Sequence, residues 1–380
     1  MVRLLFIWAI LVFTTGCSQR IVDLDQNPLP AEAITPLSSK TAPDSSLKRS
    51  ENLLPHALYY LNHFGLDKSQ VWRIPAEGGE AKLLTPEEEK ISNYDVNPHD
   101  GTLAYITGDR LVLQAPTGGK TRLIQNAANG VSTPLWSPDG QSLAFGLTGI
   151  SLYQAKQNKV IPLLTNPAEG PASYLPYLWS PDGDKLLVII SLKEGTTLGV
   201  LSLDTQELVQ LHLPSENKTN DLVCCEASWD ADNQSIFIAN PHPNSGHHTG
   251  LWRFNSRTGA GVNLVPMVSP DGTYNLAGWP HISSGGELSY FFRNSPQLPD
   301  SEGPMTMVGT GSLAGLVSLL REDSFWVKEV LWSAEGDLAV IVIPSPGSTG
   351  TAGGTIILAR RDGSPVQPLA ARGDHLRWGP

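Results

Sequence analysis

Little in this chain of 380 residues could staple it covalently, bind it to a polyanion or thread it through a membrane. It has three cysteines, and two of them, Cys224 and Cys225, are neighbours that cannot join distant loops. A disulfide scaffold is thereby excluded. The pair reads either as two small residues on opposite faces of one strand or as a vicinal disulfide. Only 17% of residues are charged, with 26 Lys and Arg against 37 Asp and Glu. No basic cluster stands out, so no nucleic-acid footprint is expected. The apolar run from Leu4 to Phe13 is ten residues long, too short for a comfortable membrane span. Catalytic signatures are missing as well. There is no Gly-x-Ser-x-Gly elbow, no His-Glu-x-x-His and no P-loop lysine. The glycines of Gly309–Gly315 lack the spacing and the following helix of a dinucleotide loop.

Turn formers are abundant instead, with 36 Gly and 30 Pro. Low charge with frequent turns predicts an all-β chain of many short strands. The clearest unit is Trp136-Ser137-Pro138-Asp139-Gly140, repeated at Trp179-Ser180-Pro181-Asp182-Gly183. Pro sets φ for a tight turn, Asp bonds the backbone beside it, and Gly accepts the exit φ. Apolar runs follow each copy, Leu143–Phe145 and Leu186–Val188. Weaker copies open at Val96, Trp229, Ile282 and Trp332, and a last one stops at Trp378. The intervals are 40, 43, 50, 53, 50 and 46 residues, the period of four-stranded propeller blades. Val268-Ser269-Pro270-Asp271-Gly272 also fits the turn, but its spacing makes it a turn between blades.

Third strands recur seven times, from Val71–Ile74 to Ile356–Leu358. Residues 56–85 hold the last three strands of a blade without a first. Residues 374–380 look like a first strand without a sequel. The expectation is a seven-bladed β-propeller over 56–380, its first blade closed by both termini so that no blade edge is left unpaired.

These repeats resemble the Trp-Ser-Pro-Asp-Gly blades of the TolB-type, WD-like propeller family over about residues 57–380. TolB has an α/β domain ahead of its propeller, where this chain has only a Pro-rich stretch over 17–55. That stretch reads as a flexible tether. Residues 1–16, with Arg3, the apolar run and Thr14-Thr15-Gly16 before Cys17, resemble a bacterial lipoprotein signal. The resemblance implies that Cys17 is lipidated and that the domain is held to the extracytoplasmic face of a membrane in the cell envelope.

The repeated Asp100, Asp139 and Asp182 are expected to serve their turns, and the repeated tryptophans to pack between blades. Pro241–His248 is a Pro/Gly loop in which His242, His247 and His248 are weak metal-ligand candidates. No cofactor and no catalytic residue is expected. The expected role is a scaffold that binds an envelope protein, a peptide or a small ligand. The rival is a hydrolase or lyase acting on carbohydrate or peptide, with polar residues of several blades and a metal gathered in the central funnel.

Overall fold

The computed structural model describes residues 52–380 except 64–67, 125–130, 170–171, 194, 215–222, 224–225, 241–249, 297–302, 311–316 and 346–352. Three strands come first: β1 (Ala57–His63), β2 (Ser69–Ile74) and β3 (Lys82–Leu83). Five four-stranded antiparallel sheets follow. They are β4 (Ile91–Val96), β5 (Leu103–Thr107), β6 (Arg110–Gln114) and β7 (Lys120–Ile124); β8 (Ser132–Trp136), β9 (Ser142–Gly146), β10 (Gly149–Gln154) and β11 (Lys159–Thr165); β12 (Ser173–Trp179), β13 (Lys185–Leu192), β14 (Gly195–Ser202) and β15 (Leu208–Gln210); β16 (Glu226–Trp229), β17 (Ser235–Asn240), β18 (Gly250–Asn255) and β19 (Gly261–Val265); and β20 (Tyr274–Ile282), β21 (Leu288–Ser295), β22 (Met305–Thr310) and β23 (Val317–Phe325). The chain ends in β24 (Glu329–Trp332), β25 (Leu338–Ile343), β26 (Gly354–Arg360) and β27 (Gln367–Gly379). No helix occurs among the described residues.

Each repeat copy closes the first strand of a sheet, and its turn is built as the residue types require. Asp139 Oδ1 accepts from Ser137 Oγ at 2.5 Å and from Gln141 N at 3.0 Å. Gly140 leaves with φ 65°, a conformation that costs Gly little. Asp182 repeats the pattern with Ser180 Oγ at 2.6 Å and Asp184 N at 3.0 Å. In the Val96 copy, Asn97 Oδ1 accepts from His99 N at 3.0 Å, and Asp100 Oδ1 accepts from Thr102 N at 2.8 Å. The segment 268–272 is a tight turn leading into β20, with Gly272 N bonded to Ser269 O at 2.9 Å.

The last and first expected blades are joined differently from the sequence reading. Residues 374–380 were expected to be a separate first strand, with the fourth strand of the last repeat, Val366–Leu369, ending before it. They are one strand, β27, of 13 residues. Its first half pairs with β26 and its second half with β1, so that Leu58 faces Trp378 and Tyr59 faces Arg377. The result is one sheet of seven strands, β24-β25-β26-β27-β1-β2-β3. Leu53 and Leu54, at the end of the segment read as a tether, lie against this sheet, and Leu54 is buried.

The core is divided among the faces between sheets. Ala104 and Leu111 meet Trp136 and Phe145; Leu135 and Leu152 meet Trp179 and Val188; Leu187 and Val200 meet Trp229 and Phe254. Phe237 and Leu251 meet Tyr290; Phe291 and Met307 meet Trp332 and Ile341. Val340 and Leu358 meet Leu58 and Tyr60, and Tyr59 and Val71 meet Tyr94 and Tyr105. Burying each such large side chain stabilises by roughly 1.5–3 kcal/mol.

Candidate functional site

The strands that open the sheets lie beside one another. β24, the second half of β27, β4, β8 and β12 run in sequence, and β16, β20 and β24 do likewise. Counting back from the residue that ends each opening strand aligns their side chains. One position back stand Asp95, Leu135, Leu178, Ser228, His281, Leu331 and Arg377. Three back stand Asn93, Thr133, Pro176, Glu226, Trp279, Glu329 and His375. Asp95, Arg377, Glu226 and Glu329 are the charged residues of these two rows.

The second row is also where the backbone is bent. Thr133, Trp279 and His375 have φ of 41°, 49° and 54°, a region costing a non-Gly residue about 1–3 kcal/mol. The pairing registers of β8, β20 and β27 each skip there. Bulges of this kind re-aim side chains and free backbone N–H groups from the ladder. At His375 the freed groups have a partner on the preceding opening strand. Glu329 Oε2 accepts from His375 N and Oε1 from Leu376 N, both at 2.7 Å.

A polar network surrounds this bulge. Asp374, 4% exposed, accepts from His63 Nε2 at 2.6 Å, His375 Nδ1 at 2.9 Å and Lys328 Nζ at 3.0 Å. Burial alone would raise its carboxyl, but these donors hold it well below the usual range. Tyr94 OH donates to His375 O at 2.8 Å. Asp95 accepts from Arg377 Nε at 3.1 Å and from Trp136 N at 2.6 Å. Burial nonetheless raises the Asp95 carboxyl, with Arg377 opposing.

Glu226 is the exception. It occupies the same row as Glu329, but makes no hydrogen bond among the described residues. The reason lies on β20, where the two residues equivalent to His375 and Leu376 are Trp279 and Pro280. Pro280 has no N–H to give. Burial, and then the charge of Glu329, push the Glu226 carboxyl up to about 7. Tyr177, on β12, is raised by burial and by the charge of Glu226. Glu226 lines a cavity of about 280 Å³ bounded only by opening strands, together with Trp179, Trp229, Trp279, His281 and Trp332.

The repeated tryptophans hold sheet to sheet, as their spacing predicts. Trp179 Nε1 donates to Leu135 O at 3.0 Å, Trp332 Nε1 to Trp279 O at 2.9 Å and Trp378 Nε1 to Trp332 O at 2.7 Å. The repeated aspartates serve their turns. Cys17, Cys224, Cys225, His242, His247 and His248 lie outside the described residues. Among the described residues no group of three or more His, Cys, Asp or Glu is placed to hold a metal. What sequence reasoning missed is the convergence of Asp95, Glu226, Glu329, Asp374 and Arg377. The signal was present in the repeat alignment, which sets Glu226 and Glu329 at one position.

No protein-family profile matches the chain. Over 139 residues it is 28% identical to the uncharacterized peptidase YuxL of Bacillus subtilis, a match covering 33% of this chain and 21% of that protein. The chain thus spans about a fifth of the length of the curated relative it matches. Among solved structures it is similar to a prolyl endopeptidase, with TM-score 0.55 and 14% identity over 88% of this chain and 50% of that one. The tricorn protease gives TM-score 0.54 and 11% identity over 85% of this chain and 36% of that one. The oligogalacturonate lyase of Vibrio parahaemolyticus gives 0.53 and 13% over 83% and 86%. Identities this low speak for fold and leave activity open. The fold is a β-propeller.

Proposed function

We propose that this protein is an envelope-anchored propeller that binds a protein, peptide or small ligand, with no reaction of its own. The observation that carries the reading is how the polar groups on and beside the opening strands are used. The hydrogen-bonded histidines among the described residues bind carboxylate or backbone oxygen: His63 and His375 bind Asp374, His99 binds Pro138 O, and His281 binds Ala334 O. Asp95, Glu329 and Asp374 are likewise engaged in holding strands together. Bonds of this kind tie neighbouring strands together, which supports a rigid channel able to hold a ligand.

The architecture in this reading has seven blades and a ring closed by both termini. The seven-stranded sheet is then two blades sharing β27. Supporting this, Val340 and Leu358 from one half share a buried cluster with Leu58 and Tyr60 from the other. Tyr59 OH and Arg73 Nη2 also both donate to Pro380 O, each at 3.1 Å. Lipidation at Cys17 supplies the anchor. The test is purification of the tagged full chain from membranes. The expected result is resistance to salt washing, release by detergent, a soluble Cys17→Ala variant and a co-purifying partner. A chain found soluble without Cys17→Ala, and alone, overturns the reading.

A propeller enzyme is the second reading, favoured by one observation: Glu226 lines a cavity, and burial raises its carboxyl to about 7, into the range of a general acid or base. Turnover of peptide or oligogalacturonate by the pure chain, abolished in Glu226→Gln, would establish it and displace the scaffold.

A further inference from the structure

We infer that the cavity at Glu226 is a binding site for a primary ammonium group. The inference deepens the binding reading above and rests on it only for the idea that a ligand enters the channel.

One polar group at this cavity is left unmet by the fold, the Glu226 carboxylate. Its counterpart Glu329 takes two successive backbone N–H groups from the next opening strand. Pro280 removes one of those donors for Glu226, and the carboxylate takes none among the described residues. Trp179, Trp229 and Trp332 wall the same cavity. A ligand that brings donors to Glu226 gains a charge-assisted bond that the fold leaves unmade. An acceptor-only carboxylate calls for donors, and an ammonium brings three with a positive charge. The indole walls add favourable surroundings for a cation. The groups that face Glu226 are Tyr177 from β12, His281 from β20 and Glu329 from β24, with Arg377 from β27 beyond them. The nearest charge, on Glu329, is negative and favours a cation.

A primary ammonium can arrive on a small amino alcohol or at the tip of a lysine on a protein partner. Ethanolammonium and Nα-acetyl-lysine amide stand for the two sources, and n-propanol is the uncharged control. Binding to the full chain is read by tryptophan fluorescence. Saturable binding of ethanolammonium, of the lysine amide or of both is expected, and whichever binds tighter names the source. n-Propanol is expected to have no effect. Affinity is expected to rise about tenfold from about pH 6 to about pH 8 as Glu226 ionises. Glu226→Gln is expected to weaken binding by about tenfold or more. Pro280→Ala, which returns an N–H to β20, is expected to weaken it too, and guards against Glu226→Gln failing to fold. No saturable binding, or binding equal in both variants, overturns the site. If the membrane partner is still captured when ammonium binding fails, the site alone falls and the scaffold stands. Ammonium binding in a chain that captures no partner supports the site and counts against the scaffold.

Discussion

Glu226 and Glu329 differ in what the next strand offers them, and the difference is thermodynamic. Folded, Glu226 keeps its proton up to about pH 7, while its ordinary value is 4.5. The native state therefore binds the extra proton between those values, and stability falls as pH rises through that window. Glu226→Gln removes this dependence. It is expected to be about 1–3 kcal/mol more stable than the parent at about pH 8, allowing for water in the channel, and equal near pH 4. Urea unfolding at the two pH values checks this. Asp374 has the opposite sign. Its folded carboxyl is depressed by His375, His63 and Lys328 against the burial that would raise it. Its contribution is present above the ordinary value of 3.8 and is lost as pH falls toward the folded value. Asp374→Asn strands three donors around a buried site and is expected to cost about 3 kcal/mol near neutral pH in the same assay.

At the scale of the element, the tight turn and the tryptophan ahead of it carry most of the order. The turn was legible because its demands are local: Ser, Pro, Asp and Gly each meet a requirement within five residues. The tryptophan was legible only in part. Repetition at one strand position pointed to packing, but not to which indole N–H would find a carbonyl on the neighbouring sheet. Trp332 finds Trp279 O, and Trp229 finds none. Trp332→Phe is therefore expected to cost about 1–2 kcal/mol more than Trp229→Phe, because it also strands an acceptor. Thermal unfolding of both variants measures the difference. The bulges at Thr133, Trp279 and His375 had no local signature. They depend on partners such as Glu329, 46 residues before His375.

At the scale of the molecule, the join between β27 and β1 decides whether the first three strands have anything to build on. Deleting 374–380 removes the pairing of Leu58 with Trp378 and of Tyr59 with Arg377. It leaves the edge of β1 bare and takes Arg377 from Asp95. The expected outcome is a melting temperature lower by roughly 10 °C or more and a tendency to aggregate, read by calorimetry and light scattering. The all-β class, the four-stranded antiparallel sheets of the middle repeats and their turns could be derived from residue order, because each rests on chemistry within a few positions or on copies of it. Where the charges meet could not. Asp95 and Arg377 are 282 residues apart, and Glu226 is left unpaired by a proline 54 residues further on. Closing sheet onto sheet brings such residues within bonding distance, and the strength of a charge's field depends on that distance and on the water excluded around it.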